Sequence, residues 1–302
     1  MSDESVLEPD RVDGAPHPRE TQRLLGQEDA EGAFLNAFAT GRMHHGWLLT
    51  GPRGVGKATL AWRIARFLLA QPRQDEGGLF GDAPPPPDSL DISPDHPVAH
   101  RVAALSDPGL FLLRRAWDDK AKPPRLKTVI TVDEVRRLKN FFSLSATDGG
   151  RRVVIVDSAD EMNPNAANAL LKLLEEPPAN ATLLLISHQP SRLLPTIRSR
   201  CRMLRLHTLD PGQMAEALAT AGAATDNAQA LAALSAGSVG EAIRLTNLDG
   251  LTLYAEIVAL LADLPRLDRP RAIKLADSAT GRANEPRFDL ILRLFDLFLA
   301  RT

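Results

Sequence analysis

The sequence predicts an α/β fold: a parallel, doubly wound sheet over about residues 20–207, followed by two all-helical pieces. Two observations carry this. Short apolar runs alternate with segments of helical periodicity through the first two thirds of the chain, the pattern of successive βαβ units. Beyond Pro211 alanine and leucine dominate and nothing alternates with period two, so helices alone fit there. At 302 residues, two or three domains are expected from the usual ~100–200 residues each.

The elements follow in chain order. Residues 1–18, with Asp3, Glu4, Glu8, Asp10 and Asp13 and little apolar content, are expected to form a disordered, solvated tail. Ala30, Ala33, Phe34, Ala37 and Phe38 share a face of a helix from Gln27 to Thr40, which Gly41 ends. Trp47–Thr50 is a strand feeding a glycine-rich turn, and Leu60, Ile64, Phe67 and Leu68 line the helix Ala58–Ala70. From 72 to 108 the pattern breaks around Pro84–Pro87 into an insertion with little regular structure. Leu110–Arg114 is a strand, and Thr131-Val-Asp-Glu134 has the capping-box spacing that opens a helix through Phe142. Val153–Asp157 is a buried strand ending in a carboxylate. Pro164 and Pro177-Pro178 frame a helix, Asn165–Glu176, with Ala169, Leu170, Leu173 and Leu174 as core. Thr182–Ser187 and Arg202–Leu206 are further strands. The helical remainder divides near Leu248.

Composition excludes several function classes. With 36 basic and 38 acidic side chains the formal net charge is −2, which rules out a globally basic nucleic-acid binder but permits a local basic face. Arg136, Arg137 and Lys139 are candidates for phosphate contacts, and a solvated helix face explains them equally well. One cysteine, Cys201, excludes an intrachain disulfide framework and a multi-cysteine zinc site, and without a base partner it reads as a small apolar residue. His44 and His45 diverge on regular structure and read as structural. No run reaches the roughly 18 apolar residues of a membrane span, and the first residues lack a signal pattern, so a cytoplasmic protein is expected.

Chemistry concentrates in Gly51-Pro52-Arg53-Gly54-Val55-Gly56-Lys57-Ala58-Thr59, set between a predicted strand and a predicted helix as a phosphate loop must be. Its glycines let backbone amides turn towards phosphate oxygens, the helix N-terminus favours negative charge, and Lys57 reaches the outer phosphates. The residue after the lysine should carry a hydroxyl for magnesium; here it is Ala58, and Thr59 lies about 100° further round the helix. Asp157 is placed for a metal-bound water, although a buried strand ending in a surface aspartate explains the same run. In hydrolysing relatives of this fold the next residue is a water-polarising glutamate; here it is Ser158, and Asp160 and Glu161 are displaced from that position. The candidate nucleotide-binding set is therefore Gly51, Pro52, Gly54, Val55, Gly56, Lys57, Ala58, Thr59 and Asp157.

Longer motifs point to a family. Asn168-Ala-Leu-Leu-Lys172-Leu-Leu-Glu175-Glu176-Pro-Pro178 resembles the signature helix of clamp-loader subunits of the AAA+ superfamily. Pro195-Thr-Ile-Arg198-Ser199-Arg200-Cys201 resembles their serine-arginine-cysteine motif, and Gly41–Pro52 looks like the lead-in to their phosphate loop. The resemblance covers about residues 19–245. Within the family it is to the delta-prime type of bacterial DNA polymerase III subunit. The ATP-hydrolysing gamma and tau type keeps residues that Ala58, Ser158 and Gly240 have replaced, Gly240 standing where ATPase members carry a sensing arginine.

The resemblance implies an AAA+ phosphate-loop domain over 19–207, with the 72–108 insertion in place of a zinc module and no zinc. It implies a helical lid over 208–248 and a collar over 249–302 that is either reduced or cut short. It further implies weak binding of ATP or ADP and no hydrolysis by this chain. The expected partners are gamma/tau and delta subunits in a heteromeric ring, a sliding clamp, and primer–template DNA reached through the ring, with no membrane. Arg200 is the expected catalytic residue, an arginine finger acting in trans on a neighbour's nucleotide site. The largely intact Gly51–Lys57 loop and Asp157 keep an active ATPase, a gamma/tau-like motor or another remodeller, open as the rival reading. A stand-alone nucleotide-dependent DNA-binding protein fits the acidic balance poorly.

Overall fold

Strand β1 (Gly46–Thr50) is buried at every residue, because it lies inside the sheet with helices on both faces. In chain order the surrounding elements are α1 (Glu28–Ala39), α2 (Lys57–Ala70), α3 (Pro97–Ala103), β2 (Leu110–Arg114), β3 (Trp117–Asp118), β4 (Arg125–Leu126) and α4 (Val132–Leu144). They continue with β5 (Arg152–Asp157), α5 (Pro164–Glu175), β6 (Ala181–Ser187), α6 (Pro195–Arg198) and β7 (Arg202–Arg205). This computed structural model describes residues 8, 10–71, 87–122, 124–144, 150–262, 264–281 and 284–301.

The five-stranded sheet has the order β2-β5-β6-β1-β7, and all its pairings are parallel. Alternate side chains enter two cores. Trp47, Leu49, Val153, Ile155, Leu184 and Ile186 pack with Phe34 of α1 and with Leu60, Ile64 and Phe67 of α2. Leu48, Val154, Val156, Leu183 and Leu185 face the other way, towards Leu138 of α4 and Leu170 and Leu174 of α5. Helix starts follow local chemistry. Asn163 accepts a hydrogen bond from Ala166 N at 2.8 Å to open α5, and the Glu134 carboxylate accepts from Thr131 N at 2.8 Å at the head of α4.

The sequence reading has no strands between Arg114 and Thr131, where β3 and β4 form a separate antiparallel pair, and two other stretches also differ. Within 72–108, residues 72–86 lie outside the described residues, but 97–103 form helix α3. His96 caps it by accepting from Val98 N at 3.2 Å, and Val98, Ala99 and Val102 are buried, a short signal hidden among prolines. In the segment expected to be a disordered tail, residues 1–7 and 9 lie outside the described residues, whereas the side chains of Asp10 and His17 are buried. Arg114 of β2 pairs with Asp10 at 2.5 Å and with Glu8 at 3.1 Å, which holds the acidic segment down. Two buried arginines of α2 hold the residues that follow: Arg66 donates to Arg19 O at 2.6 Å and to Thr21 O at 2.9 Å, and Arg63 donates to Gln22 O.

Val12–Ala15 and Leu209–Thr302 make a second compact unit. Its helices are α7 (Pro211–Thr220), α8 (Ala228–Leu234), α9 (Val239–Asn247), α10 (Gly250–Ala262), α11 (Arg269–Asp277) and α12 (Glu285–Leu299). Asp210 and Gln213 form a reciprocal capping box at α7. Met214, Leu218, Ile243, Ile257, Leu290 and Leu294 belong to one core, so the segments expected as lid and collar share their packing. Among the described residues no single helix is long and apolar enough to cross a membrane.

Leu170→Ala should cost about 2–5 kcal/mol, since the side chain is fully buried between α5 and the sheet. Denaturant unfolding of the purified chain measures it; a loss below 0.5 kcal/mol on that scale would mean the site collapses freely.

Candidate functional site

The phosphate loop leaves β1 at Thr50 and enters α2 at Lys57. Gly51 has φ 145°, and a Cβ there would lie 2.6 Å from Leu206 O, so any side chain would break the contact between loop and sheet. Gly56, with φ 99°, immediately precedes α2 in the left-handed region. Gly54, Val55 and Thr59 complete the turn and the first helical turn, and Val55 is buried. Lys57 is 3% exposed, and its ammonium donates to Gly51 O at 2.7 Å and to Pro52 O at 2.5 Å. Burial pulls its pKa down to about 8, against the opposing pull of Asp157 and Asp160. Ala58 offers no oxygen to a cation.

Asp157 ends β5, paired in register with Arg114 of β2 and Ile186 of β6. Burial pushes its carboxyl up to about 7, helped by Asp10 and Glu161 and opposed by Lys57 and Arg114. The sheet thus brings Lys57 and Asp157 to one edge. The neighbouring groups are engaged elsewhere. Ser158 Oγ lies 2.9 Å from His188 Nε2, the Asp160 carboxylate accepts from His188 N at 3.1 and 3.2 Å, and Glu161 pairs with Arg115 at 2.9 Å. None of these holds a carboxylate where Ser158 stands.

Sequence reasoning missed the second ring of charge around this edge. Burial raises Asp10, but His17 and Arg114 outweigh it and hold its pKa below the usual value. His17 Nε2 lies 3.2 Å from Asp10 Oδ2 and 3.4 Å from Glu8 Oε2, and its ring meets Trp62 edge-on. The excess of acids before residue 14 was the available signal; nothing local says that they fold back onto Arg114.

Arg200 occupies the opposite edge. It precedes β7, whose Arg202 pairs with Trp47 near the start of β1, while Arg205 pairs with Thr50 at the loop. Three strand residues separate those registers by about 10 Å. A Cβ on Gly46, at the start of β1, would lie 3.1 Å from Arg200 O. The guanidinium is solvent-accessible, with Nη2 3.0 Å from Glu175 Oε1 and Nη1 donating to Thr196 O at 3.1 Å. Burial pushes the Cys201 thiol up to about 12, which makes it inert as a nucleophile. Gly240 is buried in the first turn of α9, where Ser238 accepts from Glu241 N at 3.2 Å. The His44 and His45 rings stack, and His45 Nε2 bonds Leu174 O at 2.9 Å. Of the basic α4 residues, Arg136 pairs with Asp133 at 2.9 Å.

A parallel sheet in this order, with a glycine loop and lysine after β1 and an acid closing β5, defines a phosphate-loop α/β protein. Residues 26–210 match the family described as "DNA polymerase III, delta subunit", and the chain belongs to it. It is 44% identical over 157 residues to DNA polymerase III subunit delta' of Pseudomonas aeruginosa, covering 52% of this chain and 41% of that protein. It is 33% identical over 219 residues to the subunit of the same name from Escherichia coli, covering 70% and 57%. The chain spans about half the length of the curated relatives it matches. Among solved structures, it resembles a DNA polymerase III gamma subunit-related protein of Thermotoga maritima at 18% identity and TM-score 0.39, covering 89% of this chain and 85% of that one. The RuvB Holliday junction branch migration motor of the same organism gives 16% identity and TM-score 0.45, covering 87% and 73%.

Asp157→Asn should raise the melting temperature at pH 8 and leave it nearly unchanged at pH 4. The folded carboxyl, at about 7, binds its proton more tightly than the unfolded one at 3.8. Stability from this group is therefore full at low pH and is lost as pH rises from about 4 through 7. Thermal melts of both proteins across that range measure it; parallel curves would show that Asp157 stays ionised.

Proposed function

We propose that this chain is a non-hydrolysing, delta-prime-like subunit of the DNA polymerase III clamp loader. It completes a heteromeric ring with gamma/tau and delta subunits and lends Arg200 to a neighbouring ATPase, so that a sliding clamp is loaded on primer–template DNA in the cytoplasm. One observation carries the trans role: Arg200 is solvent-accessible at the sheet edge away from its own phosphate loop. Its place at the far end of β1 from the loop favours a neighbour's nucleotide over its own, and its fixed, always-charged donors suit a terminal phosphate.

The absence of hydrolysis rests on Ala58, Ser158 and Gly240. Ala58 removes the hydroxyl for magnesium, Ser158 is tied to His188, and Gly240 carries no cation. The glycine loop and buried Lys57 still suit weak binding of ATP or ADP. Such a nucleotide would bring its phosphates to the Gly51–Lys57 amides and ammonium, which hold and orient them. A second reading, an active ATPase, is favoured by the closeness of Lys57 and Asp157.

Turnover separates the two. The isolated chain should hydrolyse ATP far below ~1 s⁻¹, and Ser158→Glu alone should not restore activity; steady turnover near that rate would establish the ATPase reading. In the reconstituted loader, Arg200→Ala should leave this chain folded and incorporated while ATP turnover falls about tenfold or more, because the neighbouring site loses a transition-state cation. Arg200→Lys should not restore full activity, since an ammonium lacks the planar two-point geometry, and Arg198→Ala should be milder. Wild-type turnover and clamp loading by Arg200→Ala loaders would reduce the chain to a structural ring member.

A further inference from the structure

We infer that Glu175 is a positioning residue for Arg200, fixing the direction in which the guanidinium leaves this subunit; this rests on the trans role proposed above. Glu175 is the last residue of α5 and Arg200 follows α6, so the pair joins two separate elements. Glu175 Oε1 stands 3.0 Å from Arg200 Nη2, while Nη1 donates to Thr196 O at 3.1 Å. The guanidinium is held at two corners, from α5 and from α6. The backbone beneath it is fixed as well. Arg200 N donates to Ile197 O at 3.1 Å, and a Cβ on Gly46 would crowd Arg200 O at 3.1 Å and Cys201 Sγ at 3.2 Å.

Stability does not account for this carboxylate. A negative charge at a helix C-terminus faces unpaired carbonyls, its least favourable place on the helix. The two side chains are 38% and 42% exposed, and an ion pair so exposed adds little to the fold. What the contact does change is freedom. An unheld arginine samples many rotamers and must be ordered when it meets a ligand, whereas one held by carboxylate and carbonyl has met that cost already. Of the five N–H donors of a guanidinium, two are engaged here, and the rest remain for an anionic oxygen on the neighbouring subunit.

The test uses the reconstituted loader, with ATP turnover read as kcat and KM separately. Glu175→Ala should lower kcat about three- to fivefold with KM nearly unchanged, because an interaction realised in the transition state is weakened. Glu175→Gln, which keeps an acceptor, should recover most of the loss. In an Arg200→Ala background, Glu175→Ala should add no further loss, since the carboxylate acts only through that arginine. An additional loss in that background, or a Glu175→Ala chain that no longer enters the complex, assigns the carboxylate another role and overturns the inference. Wild-type kcat for Glu175→Ala beside an impaired Arg200→Ala overturns the positioning role and leaves the trans role intact. Wild-type kcat for both removes the two together.

Discussion

The placement of both candidate sites depends on β1 being threaded between β6 and β7 in parallel register. Leu183 N donates to His45 O at 2.7 Å where the strand begins, and Leu206 N donates to Thr50 O at 2.8 Å where it ends. The strand therefore has a loop end and an arginine end. Its C-terminal end sets Gly51–Lys57 beside Asp157, and its N-terminal end sets Gly46 under Arg200. Both ends belong to one short, fully buried strand, so a single register sets both positions.

The two ends differ in electrostatic character. At the loop end, burial drives both Lys57 and Asp157 towards neutrality, the lysine down to about 8 and the aspartate up to about 7. Lys57 meets its own loop carbonyls, and Asp157 shares its surroundings with Asp10 and Glu161, so charge there is balanced within the subunit. At the other end Arg200 keeps one carboxylate and one carbonyl as partners and remains accessible to solvent. With no side-chain oxygen on Ala58 and no carboxylate at Ser158, the loop end differs from the other end, where Arg200 presents a cation to solvent.

The amino-acid sequence by itself determined the α/β order, the five strands of the parallel sheet and the loop. Val153–Asp157 and Thr182–Ser187 are apolar runs too short for helices and too continuous for exposed strands, and each became a strand within one residue. Capping chemistry placed α5, because Asn163 and Pro164 act on adjacent backbone groups. Arg200 was legible as a motif residue. Tertiary structure alone decided what lies around it. That Glu175 meets Arg200, that α3 buries Val98 and Val102, and that Asp10 folds back onto Arg114 are contacts between residues 25 to more than 100 positions apart, or packing against a core assembled elsewhere. Periodicity reports which face of an element is apolar. It carries no record of which distant charge will complete a pair, because that choice is made only when the sheet has set its register.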